Sequence, residues 1–540
     1  MLLRRSLLHV AEVFLTFGLA AGRTAAAAAA QGRGSRFDIT AHRTGYQYAA
    51  AEQLNSENLQ VVTKDDLLYT TDIMLGGEKF TVSLDTGSTD LWINTKGRNV
   101  QLTNQTSITT SITYGVGKVE GPIDFAQVKI GDFVIDSQAF INPTSIVDFN
   151  LAVDGIMGMA FDVGSIHTAF KNAFGAAAAD TLGRAPITSL FGAHPSLPNN
   201  FDVQLARTGE TQDLADGSFT ISGHAPGFDT ALAGAPKLPR VSDQHWSIVM
   251  DAMSVDGKAF AFEGSRIAGV PLGKTVAALD TGFSFPPLPP KAVDAIYGSI
   301  PGAVFNPSSK LWAVPCNATT SLSFTFGGKD FVVHPLDLTR MMVTDITTNG
   351  QKKQVTICIN TYQYLTLDPN SFQGFDMILG DAFLRNVYAS FDYGDTQPGN
   401  TSSGLGIPFV QMVSTTDASK MMDEFKTERA ETLSKLPPEL SPSDFVRIAS
   451  GGSGSVGAGT SGAAEESVDS TNSSEGSLLG LKFGMVAMIL LGANLAVSIA
   501  LIGLTVAICV QGRKNRLNMR TYVPVRFRDD FEQGSSKYGS

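Results

Sequence analysis

The chain runs to 540 residues, 43% of them hydrophobic, with a formal net charge of −11. It is too long for one domain and has material for a large core, so it folds as more than one unit. Residues 511–540 carry seven basic against three acidic side chains, which leaves −15 for all that precedes them; so acidic a surface argues against nucleic-acid binding and suits mildly acid surroundings.

Residues 1–24 fit a secretory signal peptide: Met1-Leu2-Leu3-Arg4-Arg5 leads into a mostly apolar stretch to 21, then into a zone of small, alanine-rich residues ending at 30. The polar stretch that follows, with Arg33, Arg36, His42 and Arg43, makes 25–66 a propeptide or a disordered leader. From 67 to 412 short β-branched and aromatic runs alternate with Gly, Asn and Asp, as in Phe133-Val134-Ile135-Asp136, an all-β signature. Within it 168–179 is alanine-rich and helix-like, and 195–200 reads as a loop before Phe201-Asp202-Val203-Gln204-Leu205. Residues 421–433 have helical character, stopped by Pro437-Pro438, and 450–477 is rich in Gly and Ser, so 413–477 is expected to be a helical segment and a flexible stalk.

Residues 483–510 hold 28 positions without a charge, more than the roughly 20 that cross a bilayer as a helix. Arg513, Lys514, Arg516 and Arg520 follow and mark the cytoplasmic side, which predicts a single-pass type I protein with 511–540 inside and the rest extracellular or luminal. A glycosylphosphatidylinositol anchor is disfavoured because about 30 mostly polar residues follow the apolar run. Cys509, at the inner edge, is an inert apolar residue or a palmitoylation site, and Tyr522-Val523-Pro524-Val525 resembles a tyrosine-based sorting signal. Four glycosylation sequons, at Asn104, Asn317, Asn400 and Asn472, precede the span, as do Cys316 and Cys358, which an oxidising compartment would let pair.

The most informative feature is a duplication. Asp85-Thr86-Gly87 and Asp280-Thr281-Gly282 each end a short apolar run and lie 195 positions apart. One such triplet arises by chance in about one chain in ten of this length, whereas two in matching contexts suggest two carboxyls brought face to face by two similar lobes. Two carboxyls at close range cannot both ionise cheaply, so they retain one proton between them and titrate as a unit. Such a pair supplies both the base and the acid that peptide hydrolysis by water needs. Gly permits the tight turn and a backbone N–H near the carboxylate, and Thr offers a hydroxyl to lock the two turns together.

With these motifs the chain resembles the pepsin-like aspartic proteases over about residues 67–412; that family is the standing example of a proton-sharing dyad. Tyr114-Gly115-Val116-Gly117 resembles the flap hairpin whose tyrosine closes over substrate, and Trp92 matches the residue supporting that tyrosine. Asp154-Gly155-Ile156-Met157-Gly158 resembles the segment packed beneath the first Asp loop, and Ile378-Leu379-Gly380-Asp381 its counterpart in the second lobe. The resemblance implies a bilobal all-β fold with a central cleft, an N-terminal catalytic lobe at 67–207, a C-terminal lobe at 208–412, and one C-terminal transmembrane helix. It implies Asp85 and Asp280 as the dyad, Thr86 and Thr281 as an interlobe hydroxyl lock, Ser88 as a donor to Asp85, Tyr114 and Gly115 as flap, and a Cys316–Cys358 disulfide.

Three features depart from the family pattern. Phe283 replaces the hydroxyl residue that usually follows the second triplet, which predicts a less acidic activity optimum unless Ser284 compensates. Val116 stands where the flap usually carries a polar residue, and no dibasic pair separates the leader from Leu67, with Lys64 a candidate to contact the dyad in a zymogen. The expected protein is a membrane-anchored aspartic endopeptidase similar to surface-anchored fungal members, monomeric, acting on polypeptides at acidic pH with neither metal nor organic cofactor. The alternative is a catalytically silent surface glycoprotein that keeps the cleft to bind peptides or wall polymers.

Overall fold

The computed structural model describes residues 35–43 and 67–449, with internal breaks at 116, 148, 150–152, 208–213, 349–350, 367–372 and 395–405. The signal peptide, Lys64, Val116, the sequons at Asn400 and Asn472, the Gly/Ser-rich stretch, the apolar run 483–510, Cys509 and the tail lie outside the described residues. Among the described residues no helix is long and apolar enough to cross a membrane.

Strands dominate. The longest sheet, fourteen-stranded among the described residues, passes from Phe409–Ser414 and Val387–Asp392 through Asn200–Gln204 and Leu214–Ile221 to Leu67–Leu75, Glu78–Asp85 and onward to an edge at Leu102–Thr113. It therefore joins the first half of the chain to the last. At the join Phe201 pairs with Phe391 across antiparallel strands and their rings stack 4.9 Å apart. Trp246 packs edge-on to that stack and Tyr393 edge-on to Trp246, and both donate to the Met159 carbonyl, at 2.9 and 2.8 Å. A large aromatic cluster with its polar tips satisfied rigidifies the floor between the halves.

Residues 67–412 contain two versions of one local arrangement. Glu78–Asp85 runs parallel to Gly155–Gly158, with Asp85 opposite Gly158; Thr275–Leu279 runs parallel to Met377–Leu379, with Leu279 opposite Leu379. Thr275–Leu279 is buried at every position, which is why it reads as a continuous apolar run. A side chain at Gly158 would strike the Thr89 backbone, and one at Gly380 would strike the Phe283 carbonyl. These glycines let each short strand press against the loop that follows each Asp-Thr-Gly.

Three stretches differ from their sequence-based expectation. Ser35–Arg43, in the leader, is a strand inserted between Leu67–Leu75 and Leu214–Ile221, with Ser35 opposite Ile221 and Arg43 opposite Leu67. The single helix expected over 168–179 is two, Ser165–Phe174 and Ala176–Leu182, because Gly175 at φ 88° breaks the turn. After 412 the expected helical segment is present as Met421–Lys435, and a further helix follows that the sequence did not announce. Helix Met421–Lys435 buries Arg429, whose guanidinium donates to the Cys316 carbonyl (2.7 Å) and to Thr339 Oγ1 (3.1 Å). A second helix, Pro442–Ala449, sets Phe445 among Leu311, Ile346 and Ile357. Cys316 and Cys358 form a disulfide beneath these helices.

Candidate active site

Asp85 ends the first of the two equivalent strands and Asp280 directly follows the second, and their turns are tied together by four hydrogen bonds. Thr86 Oγ1 donates to the Leu279 carbonyl (2.8 Å) and accepts from the Thr281 amide (3.0 Å); Thr281 Oγ1 donates to the Leu84 carbonyl (2.8 Å) and accepts from the Thr86 amide (3.1 Å). All of these groups are buried, so none has water as an alternative partner. The lock sets Gly87 against the Asp280 carboxyl and Gly282 against the Asp85 carboxyl so closely that a Cβ at either glycine would collide with it. The Asp85 and Asp280 carboxyls are near enough to share a hydrogen bond.

The two carboxyls are not equally solvated by the protein. Asp85 accepts from the Gly87 amide (2.9 Å) and from the Ser88 hydroxyl. Asp280 accepts from the Gly282 amide (2.8 Å), and at the position equivalent to Ser88 stands Phe283. Burial, and next the charge of Asp85, hold the Asp280 carboxyl protonated well above the usual carboxylate range, with the Gly282 and Gly87 amides pulling weakly the other way.

The pair lies in an open cavity of about 750 Å³ whose walls come from both halves of the chain, including Tyr114, Gly115, Ile156, Gln244, Phe285 and Ile378. Tyr114 stands where strands Leu102–Thr113 and Lys118–Ile130 turn into each other, the turn closed by its amide on the Gly117 carbonyl (3.0 Å). Trp92 Nε1 donates to the Tyr114 hydroxyl at 3.0 Å, and that hydroxyl also lies against Ser88. A polar connection thus runs from the hairpin tip to Asp85. Burial holds the Tyr114 phenol protonated well above its usual range. Among the described residues no cluster of three or more His, Cys, Asp or Glu is placed to hold a metal ion.

Three further residues stand at the site without having been singled out in the sequence. Phe149 packs 5.2 Å from Tyr114 and 5.8 Å from Trp92, on the cavity wall. Asp90, 5% exposed, accepts from the Ser165 (2.6 Å) and Ile166 (3.2 Å) amides, so the Asp85 loop is fastened to the N-terminus of helix Ser165–Phe174; burial raises its pKa to about 6. His245 Nδ1 donates to the Gly87 carbonyl at 3.1 Å across the cleft, and burial lowers its pKa. None of the three had a local signal: Asp90 runs straight into strand Leu91–Ile93 and meets its helix 75 positions on, and Phe149 and His245 lie in no recognisable motif.

This fold is that of the pepsin-like proteases. Residues 68–402 match the family of eukaryotic aspartyl proteases, and the chain belongs to that family. It is 25% identical over 354 residues to a probable aspartic-type endopeptidase CTSD of Trichophyton verrucosum, covering 62% of this chain and 60% of that one. It is 25% identical to cathepsin D of Dictyostelium discoideum (62% and 83% covered) and 28% identical to a vacuolar aspartic protease of Candida albicans (60% and 72% covered). These relatives span fungi and an amoeba, and a rat cathepsin E matches at 26%, so they do not single out the fungal members.

Proposed function

We propose that the protein is an aspartic endopeptidase that cleaves extended polypeptides at acidic pH in a cleft between two lobes, 67–207 and 208–412, with Asp85 and Asp280 as the catalytic dyad. The observation carrying this reading is the crossed Thr86–Thr281 lock, which holds two buried carboxyls together at the floor of a cavity open to a peptide. In the proposed reaction Asp85, supported by Ser88 and the Gly87 amide, takes a proton from the attacking water, and Asp280 gives its proton to the carbonyl oxygen. The tetrahedral diol then breaks its C–N bond as Asp85 passes its proton to the leaving nitrogen and Asp280 takes one from a diol hydroxyl, so the pair is left with one proton on Asp280, as it began. Tyr114, held by Trp92 and Phe149, closes over the substrate with Gly115. No metal or organic cofactor enters these steps.

The catalytic part is proposed to lie in the lumen of the secretory or vacuolar system or outside the cell, as a monomer held by a single span at 483–510, with 511–540 cytoplasmic. The acidic charge of the rest of the chain and the basic flank after 510 support that orientation. Cleavage of an unfolded protein by the full chain, blocked by a peptide bearing a hydroxyl in place of the scissile carbonyl, tests the chemistry. No cleavage under acid conditions, or cleavage indifferent to that inhibitor, overturns it. Retention of the chain in membranes after alkaline extraction tests the anchor; release with the soluble fraction removes it.

A further inference from the structure

The edge of the longest sheet carries a second, unrelated groove. It has a volume of about 460 Å³ and is bounded by the Leu102–Thr113 edge strand on one side and by helices Ser165–Phe174 and Ala176–Leu182 on the other. Three aromatic rings form a ladder through it. Phe125, directly opposite Asn104 in the strand register, stacks on Phe170 at 5.8 Å, and Phe170 stacks on Phe174 at 6.0 Å. The ladder begins in the core and ends in solvent: Phe174 is 60% exposed and its neighbour in the groove, Leu182, is 44% exposed. Stacked rings rising to an exposed face are uncommon on a soluble domain and mark a surface that something covers.

The groove's own wall supplies the means. Asn104, Gln105 and Thr106 all line it, and they form an acceptor sequon for N-linked glycosylation. The register of the edge strand slips on both sides of Asn104, which bulges the strand away from its neighbour at the sequon. Asn104 is exposed, and its Oδ1 accepts the Gln105 amide at 2.9 Å, which leaves Nδ2, the atom that bears the sugar, without a partner among the described residues. Thr106 Oγ1 is occupied in the folded protein by the Ile123 carbonyl (2.7 Å), so attachment belongs to the unfolded, translocating chain.

We propose that Asn104 carries an N-linked glycan whose first N-acetylglucosamine residues lie in this groove, their apolar faces against Phe174 and the ring ladder, so that the sugar covers both the exposed aromatic face and the open sheet edge. A glycan there gives two returns from one attachment: it removes apolar surface from water and blocks pairing of the edge strand with another chain. The inference rests on the proposed passage through the secretory system, and Asn317, the other exposed sequon asparagine among the described residues, separates the two ideas.

The test uses the full chain expressed in a eukaryotic host that glycosylates secreted proteins, with site occupancy at Asn104 and Asn317 read by glycopeptide mass and melting temperatures for wild type, Asn104→Gln, Phe174→Ala and the double variant. The expected result is that Asn104 is occupied and that Asn104→Gln lowers the melting temperature by about 2–4 °C in wild type. In the Phe174→Ala background the same change has little further effect, a non-additivity that only contact between sugar and ring produces. Thr106→Ser keeps the sequon and keeps the wild-type melting temperature. Occupancy at Asn317 with Asn104 bare overturns the inference while leaving the luminal reading intact, and so does an Asn104→Gln effect of equal size in both backgrounds. Neither site occupied overturns both.

Discussion

The two Asp loops share a beginning and diverge after it. Through Asp-Thr-Gly they are interchangeable: each threonine donates to the other half's carbonyl and accepts the other threonine's amide, and each glycine faces the opposite carboxyl. Beyond the triplet the first loop continues Ser88-Thr89-Asp90 and the second Phe283-Ser284-Phe285. In the first, Ser88 donates to Asp85, Thr89 Oγ1 to the Phe161 carbonyl (2.8 Å), and Asp90 holds two helix amides. In the second, two of the three side chains are aromatic, and Phe285 sits under the Arg340 guanidinium at 4.7 Å. The shared part builds the pair; the divergent part makes the two loops unequal, with the Ser88 hydroxyl on Asp85 in one and Phe283 at the equivalent position in the other.

The comparison breaks most visibly if the shared part is not symmetric. Thr86→Val and Thr281→Val each strip a buried hydroxyl of its donated and accepted bonds and leave a carbonyl and an amide unsatisfied. Each variant should lose about 2–4 kcal/mol of stability, by similar amounts, and unequal denaturation midpoints would show that one half bears the lock. The next effect belongs to the first loop alone. Because burial raises Asp90 from its ordinary value to about 6, its folded form binds a proton more tightly than its unfolded form, so the stability it contributes is present below about pH 4 and declines as pH rises to about 6. Replacing it by Asn should therefore shift the stability difference in the variant's favour by about 2–3 kcal/mol between those limits, whatever the cost of the altered cap. A difference that does not change with pH would mean that Asp90 is ionised throughout.

Two smaller effects sharpen the asymmetry. Phe283→Thr places a hydroxyl where the second loop lacks one. In the proposed mechanism Asp280 is the protonated member, so stabilising its ionised form should move the alkaline limb of the pH–rate profile downward, by about one pH unit. An unmoved limb would show that Ser284 already does this work. Trp92→Phe removes the indole donor from the Tyr114 hydroxyl and should lower kcat/KM by up to about tenfold; because Trp92 is buried in the core, the melting temperature falls as well. A fall in melting temperature with kcat/KM unchanged would make Trp92 packing rather than flap support.

What could be read from the chain alone was whatever is written as a local pattern. The two Asp-Thr-Gly triplets are short patterns visible in themselves, whereas Trp92, Tyr114 and the glycine-containing segments around Ile156 and Leu379 were legible only through the resemblance to the pepsin-like proteases. Phe149 and His245 were not legible, since each acquires its place only when distant strands assemble; His245 meets Gly87 from 158 positions away. The helix break at Gly175 was missed because an alanine-rich run on both sides outweighs one glycine in a composition-based reading. Helix Met421–Lys435 was legible as a helix, but its docking was not: the charge of buried Arg429 is met by the Cys316 carbonyl and Thr339, which no periodicity reveals. Ser35–Arg43 alternates apolar and polar from Phe37 to His42, but its setting in a polar, basic leader outweighed that short pattern, and the strand is completed by pairing with two partners.

The central claim is that Asp85 and Asp280 act as one proton-sharing unit. Its most direct test is kcat/KM for a fluorogenic peptide from about pH 3 to about pH 7, measured for wild type and for Asp85→Asn. A shared proton gives a bell-shaped profile for wild type and, for the variant, a loss on the order of 10⁴-fold with no bell remaining. An Asp85→Asn enzyme that keeps a tenth or so of the activity, with the wild-type profile, would contradict it.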